Sequence, residues 1–207
     1  MRIDSYILTA LCLFFGTLCV VTLMIYADVR LAEYFRYHPD FGSWKSSFSW
    51  VDALGEPQWY IALMGLLACF FRKSQYDLQR KWFFISMNVA TIGVLSFVLK
   101  FLCGRARPGL YFLSGMYGFF PDIFRFNPSY MSFPSGHAAV VFAFAFALGA
   151  CFPYCRAGLL VFATLVSTSR VILTWHYVSD VLVGAWLAFL LTPIIQYWYD
   201  KDVTTQS

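Results

Sequence analysis

The chain has 207 residues, 60% of them hydrophobic and 21% aromatic, with only 13% charged. That is too apolar for an ordinary soluble domain and points to a membrane protein of one domain, residues 1–207. The net charge of +4 comes from basic residues that form no long run. Several lie beside apolar spans, so they suit a membrane surface and do not suggest a nucleic-acid partner.

Tyr6 to Ala27 is an apolar run long enough to cross a bilayer. It reads as a retained helix: it is too long for a signal-peptide core, Arg2 is offset by Asp4, and no clear A-x-A site follows. Asp28 to Pro57 mixes charges with aromatics such as Tyr34, Phe35, Trp44 and Trp50, as the lipid headgroup zone favours. This 28–57 segment is expected outside the cytoplasm, with an interfacial helix over Val29 to Tyr37. Gln58 to Phe71 is apolar but short, so the second span is expected to begin near Leu54, with Pro57 in its first turn.

Arg72 to Lys81 reads as a polar loop with four basic residues. Trp82 to Cys103 is the third span, Gly104 to Gly136 a long Gly-, Pro- and aromatic-rich loop, and Ala138 to Phe152 the fourth span. Ala157 to about Thr174 and Val181 to about Tyr199 are the fifth and sixth. Residues 200–207 form a polar tail, expected to be loose and cytoplasmic. The expected fold is all-α, a bundle of six transmembrane helices. The compact basic 72–81 loop falls in the cytoplasm by the positive-inside rule. The six cysteines include no CxxC pair and read as packed thiols.

Three polar clusters interrupt the apolar sequence between residues 100 and 180, all on the side opposite the 72–81 loop. The first runs from Lys100 to Pro108 and holds Arg105 and Arg107. The second is Pro134-Ser135-Gly136-His137, and the third is Ser169-Arg170, His176 and Asp180. A phosphate ester needs cationic donors around its non-bridging oxygens, which Lys100, Arg107 and Arg170 are placed to supply. Alone, Lys100 reads as a residue snorkelling at a helix end. Arg170 at the edge of a span is costly and points to function. Ser135 and Gly136 open a helix whose free N–H groups favour an anion, with Gly136 permitting close approach. His176 and Asp180 share a face, so the carboxylate can fix the imidazole tautomer and arm His176 as a nucleophile toward phosphorus. His137 is then the acid that protonates the leaving alkoxide.

Lys100-x6-Arg107-Pro108, Pro134-Ser135-Gly136-His137 and Ser169-Arg170-x5-His176-x3-Asp180 resemble the three-part signature of the type 2 phosphatidic acid phosphatase (PAP2) superfamily, complete at its fixed positions. The resemblance implies a six-helix core and metal-independent hydrolysis of a phosphomonoester or diphosphate through a phosphohistidine. By position it implies catalytic His176, His137 and Asp180, with Lys100, Arg107, Ser135, Gly136 and Arg170 as phosphate ligands. Arg105 lies outside the fixed pattern and either contacts a second phosphate or headgroup of the substrate or simply faces the headgroup layer. No HExxH or acidic cluster appears, so no metal or other cofactor is expected. The leading expectation is a lipid phosphatase at the outer face of a bacterial cytoplasmic (inner) membrane. Its substrate would be undecaprenyl diphosphate, phosphatidylglycerol phosphate, phosphatidic acid or a lipid A phosphate. A lipid phosphotransferase using the same phosphohistidine and a non-catalytic lipid-binding membrane protein are the alternatives.

Overall fold

The computed structural model describes residues 3–70, 76–121 and 127–206. The described residues are all-helical. In order they form α1 (Ile3–Tyr26), α2 (Asp28–Tyr37), α3 (Phe41–Ala53), α4 (Pro57–Phe70), α5 (Tyr76–Cys103), α6 (Pro108–Ser114), α7 (Gly136–Cys151), α8 (Arg156–Ile172) and α9 (Val178–Gln206). Short 3-10 turns precede α7 and α8.

Three of these helices are long and apolar enough to cross a membrane: Asp77–Cys103, Pro153–Ile172 and Val178–Lys201. The count becomes four if α1 and α2, bent by 49° at their junction, form one span. At 1.5 Å per residue α4 and α7 are roughly 21 and 24 Å long, short of a hydrocarbon core of about 30 Å.

A helix stands where one was expected, as α2, but the 28–57 segment holds a second helix, α3, where a loop was expected. Phe41, Trp44, Phe48 and Val51 recur at helical spacing, and Val51 packs against the main core. His38 stacks on Trp44 with ring centroids 4.2 Å apart. Helix α5 begins at Tyr76, so the 72–81 segment is partly helical; Asp77 in its first turn pairs with Lys81 at 2.7 Å. Arg72 and Lys73, two of the four basic residues behind the expected orientation, lie outside the described residues. Helix α9 continues to Gln206 through most of the expected tail, because nothing after Pro193 breaks the helix.

Helix α7 is the centre of the bundle. Its alanines 138, 139, 143, 145 and 147 are buried, and such small side chains let neighbouring helices approach closely. Buried Asn88 on α5 donates to the Ala143 carbonyl at 3.0 Å and to Thr192 Oγ1 at 3.2 Å, tying α5, α7 and α9 together. Helices α9 and α7 approach closely at Gly184, where a Cβ would lie 2.6 Å from the Ser135 carbonyl oxygen.

The loop between α5 and α7 is held by its backbone. Gly104 has φ +58, and a Cβ there would meet the Phe120 carbonyl oxygen at 2.3 Å, so glycine is required. Phe120 N–H donates to the Gly104 carbonyl and Ala106 N–H to the Gly118 carbonyl; Arg107 N–H donates to Ser129 and Ser132 N–H to Arg105. These bonds fix where Arg105 and Arg107 leave the chain.

Candidate active site

The end of α5, the start of α7, the end of α8 and the start of α9 meet at one end of the bundle. Between them is a cavity of about 440 Å³. Six of the residues singled out from sequence line it: Lys100, Arg107, Gly136, His137, Arg170 and His176. The remaining wall is mostly apolar, formed by Val89, Ala90, Gly93, Val94, Phe97 and Val140. Val94 and Phe97 also reach the outer surface of the helix bundle. The cavity is therefore cationic at one end and greasy along α5 and α7.

Ser135 and Asp180 do not line the cavity but sit buried behind it. Ser135 is the N-cap of α7, its hydroxyl accepting from Ala138 N–H at 3.4 Å. Its own N–H donates to the Asp180 carbonyl at 3.0 Å, so the starts of α7 and α9 are joined. Beside Gly136 a Cβ would stand 3.4 Å from Lys100 Cε, so a bare backbone there leaves the lysine its space.

Each cation has a local tether. Lys100 Nζ donates to the Met131 carbonyl at 3.1 Å, and Arg107 Nη2 to the same oxygen at 3.4 Å. Arg170 Nη1 contacts both oxygens of Asp52 at 2.6 Å. Arg107 Nε, Arg170 Nε, His137 Nε2 and His176 Nδ1 are buried with no hydrogen-bond partner among the described residues. Such groups are costly to bury, and a ligand rich in acceptor oxygens would satisfy the donors among them.

His176 follows a tight turn in which Thr174 adopts φ +55, uncommon for a β-branched residue. Trp175 N–H and His176 N–H both donate to the Arg170 carbonyl, which couples the histidine to the arginine. The expected His176–Asp180 hydrogen bond is instead a 3.6 Å contact between Nδ1 and Oδ2. The reason is competition: Oδ2 already accepts from Ser132 Oγ at 2.6 Å and from Tyr177 N–H at 2.9 Å. Burial lowers the His176 pKa well below its ordinary value, and the charges of Lys100, Arg170 and Arg107 push it the same way. Both influences disfavour the charged imidazole.

Arg105 departs from the expectation of a substrate or headgroup contact. It is fully buried behind the cavity and joins two carboxylates. Nη1 donates to Asp180 Oδ1 and to Ser179 Oγ at 2.7 Å; Nη2 donates to Asp28 Oδ2 at 2.6 Å and to Tyr117 OH at 3.0 Å. Burial works to lower its pKa, but Asp180 and Asp28 outweigh that and raise it.

Sequence reasoning passed over the partners in this arrangement. Asp28, Asp52, Glu56, Ser132 and Ser179 all touch or support the site residues; Glu56 Oε1 lies 3.4 Å from His137 Nε2. Asp28 carried a usable signal: it is a charge at the end of a long apolar run, costly on the same grounds that single out Arg170. Among the described residues no group of three or more His, Cys, Asp or Glu is arranged to hold a metal ion.

With this geometry established, comparison with known proteins places the chain. The family model for the PAP2 superfamily matches residues 81–203, which contain all three clusters. A protein named lipid A 1-phosphatase from Rhizobium etli is 32% identical over 163 residues, covering 70% of this chain and 68% of that protein. One of the same name from Rhizobium johnstonii is 37% identical over 116 residues, 54% of this chain, and there the match spans only 46% of the relative's length. In fold the chain is similar to the crystal structure of Aquifex aeolicus LpxE, with a TM-score of 0.57 and 22% identity over 82% of this chain and 94% of that one. It is also similar to a transmembrane PAP2-type phosphatidylglycerolphosphate phosphatase from Bacillus subtilis, with a TM-score of 0.59 and 21% identity over 93% and 96%. Motifs, bundle and matched family model converge: the chain belongs to the PAP2 superfamily.

Proposed function

We propose that this protein is a membrane lipid phosphatase that removes a phosphate from a lipid headgroup. The observation that carries the reading is the two-ended cavity, with Lys100, Arg107 and Arg170 at one end and an apolar wall along α5 and α7. A phosphate seats among the cations while acyl chains lie against Val94 and Phe97 and continue into the bilayer. Lipid A bearing a 1-phosphate is the substrate we favour, because the Rhizobium relatives carry that activity in their names.

In the proposed reaction the Nε2 lone pair of His176 forms a bond to phosphorus. The P–O bond to the lipid breaks, and its electron pair leaves with the alkoxide. His137 donates a proton to that oxygen. Water then attacks the phosphohistidine, giving its proton to His137, and releases inorganic phosphate with His176 restored. The three cations hold the non-bridging oxygens throughout, so no metal is required.

We place the site at the outer face of a bacterial inner membrane in a bundle crossing six times, α4 and α7 serving as short spans. A cysteine in place of Ser74 would then react with an impermeant reagent only after the membrane is opened. The function is tested by phosphate release from purified protein. Lipid A 1-phosphate, phosphatidylglycerol phosphate, phosphatidic acid and undecaprenyl diphosphate are compared with p-nitrophenyl phosphate. The expected result is a higher kcat/KM for one lipid than for the soluble ester. Release from no lipid, or equal kcat/KM for lipid and soluble ester in detergent, overturns the proposal.

A further inference from the structure

Arg105, in the first polar cluster, has no part in the reaction above. Arg105 is 0% exposed, yet its guanidinium lies between two buried carboxylates, Asp28 from the start of α2 and Asp180 from the first turn of α9. Four aromatic rings surround it: the centroids of Tyr177, Phe119, Tyr117 and Phe133 are 4.7, 5.2, 5.4 and 5.9 Å from Cζ. Ser179 closes the cluster, donating its N–H to Asp28 Oδ1 at 3.0 Å and its hydroxyl to Asp28 Oδ2. A guanidinium boxed in this way has no path to the cavity.

We propose that Arg105, braced by Asp28, is a positioning residue that holds Asp180 beneath His176 and sets the charge His176 meets; this rests on the phosphatase reading above. Three observations support it. Arg105 pins Asp180 Oδ1, while Ser132 and Tyr177 N–H pin Oδ2, so the carboxylate has no freedom to turn. Oδ2 is thereby held 3.6 Å from His176 Nδ1. The charges complete the argument. Two carboxylates and one guanidinium leave a single negative charge behind the imidazole. The cavity side of His176 faces Lys100, Arg107 and Arg170, all of which oppose a positive imidazole. As Nε2 bonds to phosphorus the ring gains positive charge, and the one unbalanced negative charge lies on the side where it helps. Arginine is required because a guanidinium can serve two carboxylates through separate nitrogens, whereas an ammonium is a single point charge.

This arrangement predicts a charge rule that a purely structural role would not obey. Arg105→Gln takes away the cation between Asp28 and Asp180, which frees Asp180 Oδ1 and leaves one more uncompensated carboxylate behind His176. Asp28→Asn with Arg105→Gln removes one charge of each sign and restores the original balance around Asp180. The experiment uses the full chain purified in detergent, with the lipid that the wild type hydrolyses best. Arg105→Gln is expected to lower kcat by about 10²-fold or more with KM nearly unchanged. The double variant is expected to recover about tenfold or more of that loss. Arg105→Lys, which keeps the charge and loses the fork, is expected to lower kcat less than Arg105→Gln and serves if that variant does not fold.

A second readout needs no turnover. The chain has only three histidines, so ¹⁵N-histidine labelling resolves the ring nitrogens of His176. In the wild type its Nδ1 is expected to carry the proton. Arg105→Gln, or Arg105→Lys in its place, should shift that signal, and the double variant should return it toward the wild-type position. A raised KM with kcat retained in Arg105→Gln would show substrate contact and overturn the proposal. So would a double variant no better than Arg105→Gln, or a His176 spectrum indifferent to all three changes. If the wild type releases phosphate from no lipid, the proposed function falls while the spectra still decide the role of Arg105.

Discussion

Replacing Gly184 with alanine should damage the site without changing any residue that lines the cavity. Gly184 lies where α9 crosses the start of α7, and a Cβ there would stand 2.6 Å from the Ser135 carbonyl oxygen and 3.0 Å from the Ala139 nitrogen. Both are backbone atoms at the start of α7, so neither can turn aside as a side-chain tip would. To reach ordinary contact the two helices must separate by roughly 0.8 Å. Overpacking of this kind costs about 1–3 kcal/mol. The catalytic cost is larger, because the same contact sets the distance between His137 on α7 and Asp180 on α9. A misplacement near 1 Å is worth on the order of 10²-fold in rate. Gly184→Ala is therefore expected to stay folded with a lowered Tm and to lose on the order of 10²-fold in kcat. Gly158→Ala, where a Cβ would meet nothing within 4 Å, is the control and should behave as wild type. The assay is phosphate release from lipid beside thermal unfolding in the same detergent. Full activity in Gly184→Ala would refute the claim that this crossing sets the site.

The two histidines should fail differently when each is replaced by alanine. His176→Ala is expected to abolish turnover with every leaving group, while His137→Ala loses typically 10²–10⁴-fold on a lipid alkoxide and much less on nitrophenolate; equal losses on both substrates would contradict the roles. Because His176 is held well below its ordinary pKa by burial and by three cations, its lone pair stays available in mild acid. The acid limb of kcat/KM assigned to it should fall below about 6.5, and a limb at or above that value, abolished in His176→Ala, would contradict the environment described here. Turnover should survive EDTA and be inhibited by vanadate; loss on chelation with recovery on added magnesium would count against a site built on fixed cations.

The residues proposed for the site are local words in the chain. Lys100 and Arg107, Ser135 to His137, and Arg170 to His176 each lie within a few residues of one another, so their spacing could be read directly. Apolar runs likewise announced where most of the long helices lie, because a span needs length and low charge more than it needs a particular partner. Helix α3 had a signal in Phe41, Trp44, Phe48 and Val51, but their periodicity was masked by Lys45 and the serines between them.

What surrounds the site could be decided only by folding. Arg105 meets Asp28 across 77 positions, Arg170 meets Asp52 across 118, and Ser179 meets Asp28 across 151. No spacing rule reaches that far, because these pairs exist only once α2, α3, α8 and α9 have packed. The same holds for Asp180, whose sequence neighbour His176 promised a hydrogen bond. Packing brought Ser132 from 48 residues away and Arg105 from 75, and those donors took the carboxylate oxygens first. By itself the sequence determined the three polar clusters that meet at the cavity and most of the helices that bear them. The tertiary structure decided which acid neutralises which base, since a buried charge must find a partner wherever the fold places one.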